Sequence, residues 1–129
     1  MAIVQLHDKK FKPFITEKEI HSAVLKMVDK IQSDYEGMNP VFIGVLNGSF
    51  IIVADLVRQF IGDCEVSFVK MASYEGTNTT GVVNELIGLN QTIENRHVVI
   101  IEDIVDSGNT VEKLVELIGK DKPASVKIA

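Results

Sequence analysis

Apolar positions along the chain follow two rhythms. Ile20, Ala23, Val24, Met27, Val28 and Ile31 recur at helical spacing behind Thr16-Glu17-Lys18-Glu19, a capping-box pattern, and Gly37 is placed to end that helix. Val41 to Leu46 and Val98 to Ile101 are instead short unbroken apolar runs, the signature of strands buried on both faces. Asn47-Gly48-Ser49 makes a turn after the first run, and Phe50, Val53, Ala54 and Val57 mark a helix beyond it. After the second run, Val111, Leu114, Val115 and Ile118 return at helical spacing. Glu65 to Met71, β-branched and aromatic, and Val126 to Ala129 supply two further strands. Strands that alternate with helices predict an α/β fold, an open parallel sheet with flanking helices.

The connection from Ala72 to Asn95 breaks this order. Ser, Thr, Asn and Gly dominate Ser73 to Gly81, and a loop of that length in a compact domain predicts a flexible lid. Val82, Val83, Leu86, Ile87 and Leu89 follow it as an expected edge hairpin. No repeat, linker or low-complexity tract divides the sequence, so 1–129 is expected to be a single core domain.

Composition sharpens the class. A chain of 129 residues with 46% hydrophobic content can bury a core of its own. Its net charge of −5 argues against nucleic-acid binding, which relies on clustered Lys and Arg to displace counterions. Any anionic ligand must therefore be held locally, by backbone amides, a helix N-terminus or a bound cation. Cys64 is alone, the start MAIVQLHDKKF lacks the pattern of a secretory leader, and a reducing cytoplasm is the expected location. No apolar run approaches the roughly 20 residues that span a bilayer, so no membrane partner is expected.

The chemistry concentrates at Val98 to Thr110. A buried strand runs into Glu102 and Asp103, then Asp106, Ser107, Gly108, Asn109 and Thr110 open a helix. Small or hydroxylic side chains, a glycine that tolerates positive φ and the free N–H groups of a first helical turn make a cradle for a monophosphate. Neither a Walker lysine nor a dinucleotide fingerprint is present. Carboxylates beside a phosphate site would repel the ligand unless they face sugar hydroxyls or a divalent cation. A ribose 5-phosphate satisfies both halves of the turn. Open α/β sheets bind ligands beyond the carboxyl ends of their strands, so the turns at residues 47–49 and 106–110 are expected to face one crevice.

At these residues the segment resembles the phosphoribosyl diphosphate binding motif of type I phosphoribosyltransferases, and the rest of the chain is similar to their hypoxanthine-guanine branch. Val45-Leu46-Asn47-Gly48-Ser49 resembles the family's pyrophosphate loop, Ser73-Tyr74 and the polar stretch to Gly81 its lid, and Ser125 to Ala129 the strand after the phosphate helix. The likeness runs from about Phe14 onward, with one departure at Asn47, where the family usually carries lysine. Family members also continue past a strand like Val126 to Ala129, and their purine-recognition residues lie in that continuation, so the chain is expected to lack a C-terminal part.

The resemblance implies a magnesium-dependent purine phosphoribosyltransferase acting on phosphoribosyl diphosphate and a 6-oxopurine as a homodimer or homotetramer. It implies Asp106 as the base that takes a proton from the purine, although an aspartate there also suits a helix N-cap. Asp106, Ser107, Gly108, Asn109 and Thr110 would bind the 5-phosphate. Glu102 and Asp103 would lie near the ribose hydroxyls and Mg²⁺; adjacent strand residues point to opposite faces, and which one meets the ligand stays open. Leu46, Asn47, Gly48 and Lys70 would hold the pyrophosphate, with Lys70 equally readable as a solvated strand-end lysine, and the Leu46–Asn47 peptide is expected to be cis. Tyr74 would seal the lid or simply pack. His7, His21 and His97 lack metal-ligand spacing and are expected in surface or structural roles. The rival function is a regulatory protein that senses phosphoribosyl diphosphate and binds nucleic acid; a sugar-phosphate-binding fragment without activity is the third.

Overall fold

The structure, a computed structural model, describes residues 2–73, 83–89, 91–105 and 108–129, with backbone alone at 72–73 and 83–87. A short antiparallel hairpin, β1 (Val4–Leu6) and β2 (Lys9–Phe11), comes first. It was not expected from the sequence, and Val4, Leu6 and Phe11 stay exposed on it. Helix α1 (Glu17–Tyr35) starts where Thr16 predicts. The Thr16 hydroxyl accepts from the Glu19 N–H at 3.2 Å while the Glu19 carboxylate accepts from the Thr16 N–H at 2.7 Å, so two otherwise orphan donors are satisfied reciprocally. Gly37, at φ +73°, follows the helix end in the left-handed conformation that favours glycine.

Among the described residues, five strands build the main sheet in the order β5-β4-β3-β6-β7. These are β3 (Val41–Leu46), β4 (Glu65–Ser73), β5 (Val83–Ile87), β6 (His97–Ile101) and β7 (Ser125–Ile128). β4, β3, β6 and β7 run parallel, as the strand-helix alternation predicts, and β5 returns antiparallel along the edge of β4 with Ser73 opposite Val83. The expected edge hairpin is therefore present in β5. Of the expected lid, Ser73 belongs to strand β4, and Tyr74 to Gly81 lie outside the described residues.

Helix α2 (Phe50–Gln59) lies with α1 on one face of the sheet, and α3 (Asn109–Gly119) covers the other. Alternate residues of the central strands feed the two layers. Phe42, Val99 and Ile101 join Val24, Val28, Ile31 and Leu56, whereas Ile43, Val98 and Ile100 join Val69, Leu114 and Ile118. Burial on both faces explains why these strands read as continuous apolar runs. Four expected apolar-face positions differ, Ala23 and Phe50 being exposed along with Ile20 and Ala54. Ile20 is 53% exposed in the first turn of α1, and Ala54 is exposed while Leu56 takes the buried place in α2. At Gly44 a Cβ would come within 2.8 Å of the Phe68 ring and 2.9 Å of Val53 Cγ2, so this glycine lets α2 settle on β3.

Candidate functional site

Because β3 and β6 are parallel neighbours, the loops that leave their carboxyl ends emerge side by side. Lys70 pairs in register with Leu46 and so reaches the same end of the sheet. The site is assembled from these three places.

On the β3 side, the Leu46–Asn47 peptide is cis. Ser49 turns inward, fully buried, and its hydroxyl donates to the Val45 carbonyl at 2.6 Å, which commits that hydroxyl to the turn. Asn47 and Gly48 are left exposed at the tip, with α2 beginning just behind them.

On the β6 side the two carboxylates come together. Strand alternation predicts opposite faces for Glu102 and Asp103, but β6 ends at Ile101, so the pleat no longer directs them. The Asp103 N–H donates to Glu102 Oε1 at 3.1 Å. Glu102 is half-buried, and burial pushes its carboxyl up to about 7, helped by the hydrogen bond to Asp103 and by that neighbour's charge. Asp103 is exposed, and the hydrogen bond from Glu102 holds its carboxyl below the ordinary aspartate value. One carboxyl is thus poised to keep a proton near neutrality while the other stays ionised. Asp103 is also the one that faces the opposite loop: a Cβ on Gly48 would meet its Oδ2, with Cγ and Oδ1 at 2.7 Å.

The turn after β6 enters α3 through Gly108, whose φ of +83° is the left-handed conformation that glycine tolerates. The first intrahelical bond runs from the Glu112 N–H to the Gly108 carbonyl at 2.9 Å, so the helix begins at this glycine, and the residues just after it form its N-terminal turn. Gly108 itself is the N-cap, which removes the reading of Asp106 as N-cap. Asp106 and Ser107 lie outside the described residues.

Among the described residues, no three His, Cys, Asp or Glu side chains gather into a metal cluster. Mg²⁺ does not need one. It commonly takes one or two carboxylates and completes its shell with water and substrate phosphate, and two adjacent carboxylates, one of them exposed, fit that donor set.

Residues 16–129 match the phosphoribosyl transferase domain. The chain belongs to the phosphoribosyl transferase family. It is 37% identical over 119 residues to a hypoxanthine-guanine phosphoribosyltransferase of Streptococcus pneumoniae, covering 92% of this chain and 66% of that protein. A crystal structure of a Bacillus anthracis hypoxanthine-guanine phosphoribosyltransferase, with HEPES in its active site, superposes with a TM-score of 0.86 at 34% identity, covering 92% of this chain and 71% of that one. The Trypanosoma cruzi hypoxanthine phosphoribosyltransferase, solved with the product IMP, matches at a TM-score of 0.79 and 36% identity over 88% of this chain and 66% of that one. The chain therefore spans just under two thirds of the S. pneumoniae relative it matches. The type I phosphoribosyltransferase fold expected from the sequence is the fold of these neighbours.

One positioning group escaped the sequence. The Glu102 N–H donates to the Ala129 carbonyl at 3.4 Å, and the Ala129 N–H donates to the Ile100 carbonyl at 2.9 Å, so the residue that follows β7 holds the backbone of Glu102. A residue beyond the whole of α3 and β7 carries no signal in the sequence for such a backbone contact. His97 takes a structural role as expected, its Nδ1 lying 2.8 Å from the Ser125 hydroxyl.

Proposed function

We propose that the protein acts in purine salvage, transferring phosphoribosyl from 5-phosphoribosyl 1-diphosphate to hypoxanthine or guanine to give IMP or GMP and pyrophosphate. The observation that carries this reading is the meeting, at one sheet edge, of a Gly108-headed helix N-terminus, an acid pair and the exposed Asn47-Gly48 loop. The names of the relatives agree with it.

In this reading the amides at Gly108 to Thr110, with Asp106 and Ser107, take the 5-phosphate. The loop Leu46, Asn47 and Gly48, with Lys70, takes the diphosphate. Glu102 and Asp103 would hold Mg²⁺ and the ribose hydroxyls, and when bound the cation supplies charge neutralisation for the departing diphosphate. The bond from C1 of the ribose to the diphosphate oxygen breaks and a bond from C1 to a purine ring nitrogen forms. Positive charge builds on the sugar ring, where the Asp103 carboxylate offers electrostatic support. Asp106 accepts the proton that the purine nitrogen loses, which raises the nucleophilicity of the base. A lid of Ser73, Tyr74 and the residues to Gly81 excludes water from the reacting carbon.

A cytoplasmic homodimer or homotetramer completes the proposal, with the lone Cys64 in keeping with a reducing compartment. The net charge of −5 gives the nucleic-acid-binding alternative no support. Titration of the labelled chain with phosphoribosyl diphosphate and Mg²⁺, followed by amide NMR, tests the assignment. Shifts concentrated at residues 46–48 and 102–110 are expected; binding that leaves both loops unmoved would overturn it.

A further inference from the structure

We propose that Gly48 is a positioning residue that acts through Asp103, its missing side chain being the seat on which the exposed carboxylate of the acid pair rests. Glycines in ligand loops are usually explained by backbone freedom or by close approach of the ligand. Neither explanation is needed for the contact seen at Gly48. Its φ lies outside the left-handed range, unlike Gly37, Gly62 and Gly108, so an L residue could adopt this backbone. The space is what forbids a side chain. A Cβ at Gly48 would meet all three atoms of the Asp103 carboxylate group, with Cγ and Oδ1 at 2.7 Å and Oδ2 nearer still, whereas real Cβ contacts essentially never fall below 3.0 Å.

The obstruction is polar as well as steric. A methyl group pressed on an ionised carboxylate strips water from it and returns no hydrogen bond. Asp103 is exposed and can rotate away, so the expected outcome of a substitution is displacement of the carboxylate with the fold intact. Displacement has a specific effect here. Asp103 and Glu102 are held by a mutual hydrogen bond, and moving one breaks the arrangement of the pair. Gly48 thereby sets where the β6 loop presents its charge relative to the β3 loop, although it belongs to the latter and carries no functional group.

The role rests on the phosphoribosyl transfer reading for its ligand, and the geometry behind it does not. Two measurements on the 129-residue chain separate them. In the first, urea unfolding is compared for the wild type, Gly48→Ala, Asp103→Ala and the double variant, without Mg²⁺. Gly48→Ala should lower the unfolding midpoint in the wild-type background and have little effect once Asp103 is alanine. Equal losses in both backgrounds would overturn the contact.

The second measurement uses inorganic pyrophosphate as the probe, by calorimetry, with and without Mg²⁺. Gly48→Ala should weaken the Mg²⁺-dependent binding by about 10 to 100-fold, the usual cost of disturbing the support of a metal ligand, and by a much smaller factor in the Asp103→Ala background. A general loosening of the loop would reduce binding alike in both backgrounds, and that result would overturn the positioning role. If the wild type binds no pyrophosphate under either condition, the transfer reading fails and the claim that Gly48 positions a cation ligand falls with it. The unfolding comparison then still decides whether Gly48 seats Asp103.

Discussion

Glu102→Gln should make the protein more stable at alkaline pH and leave it unchanged at acidic pH. In the fold the Glu102 carboxyl is pushed from 4.5 up to about 7, mainly by burial. A group whose acid form is favoured by folding destabilises the fold as it ionises, so stability contributed by the neutral carboxyl is full below about 4.5 and is lost as pH rises through about 7. Fully sequestered, such a carboxyl would cost the fold about 3 kcal/mol once ionised. Glu102 is only half-buried, and solvent screening reduces this to on the order of 1 kcal/mol. Glutamine resembles the protonated carboxyl at every pH and removes the penalty. Urea unfolding of both proteins without Mg²⁺, at pH 5 and pH 8.5, reads the difference directly, because the other ionisable groups are common to both. The variant should gain on the order of 1 kcal/mol at the higher pH. A difference that is the same at both values would refute the argument, since it would show that Glu102 does not change its protonation between them.

Leu56→Ala empties a fully buried site beneath α2 and should lower stability by about 2 to 5 kcal/mol in chemical denaturation. Gly108→Ala meets no atom within 4 Å yet forces alanine to φ +83°, so a loss of about 1 kcal/mol with weakened sugar-phosphate binding is expected in unfolding and calorimetry. In a phosphoribosyl transfer assay Asp106→Asn should lower kcat by about 10² to 10⁴-fold with little change in the affinity for phosphoribosyl diphosphate; turnover near wild type would remove Asp106 from the chemistry.

Periodicity revealed what burial enforces. Val98 to Ile101 sits between two helical layers, so each of its residues had to be apolar, and the strand was readable without any partner in view. Thr16 and Glu19 act within one turn of chain, which is why the start of α1 was legible too. The hairpin at Val4 to Phe11 was not, because its apolar face remains exposed and its strands are three residues each. The positive φ of Gly108 was legible from glycine's conformational freedom, but the approach of Gly48 to Asp103 joins residues far apart in sequence and depends on β3 and β6 being neighbours. Pairing of Glu102 with Asp103 was missed for a local reason, since the strand ends one residue before them.

The strand order also sets a timetable. Central β3 pairs with β4 through nearby chain, and β5 can add to that edge as soon as it is made. Its other edge must wait for β6, whose partners run from Val98 to Ile101. During synthesis the ribosome therefore releases a three-stranded unit with one open, wholly apolar edge before the strand that closes it exists. Such long-range parallel pairing slows the final step of folding relative to local contacts. In a cell, that interval is when a chaperone or a neighbouring nascent chain competes with β6 for the edge of β3.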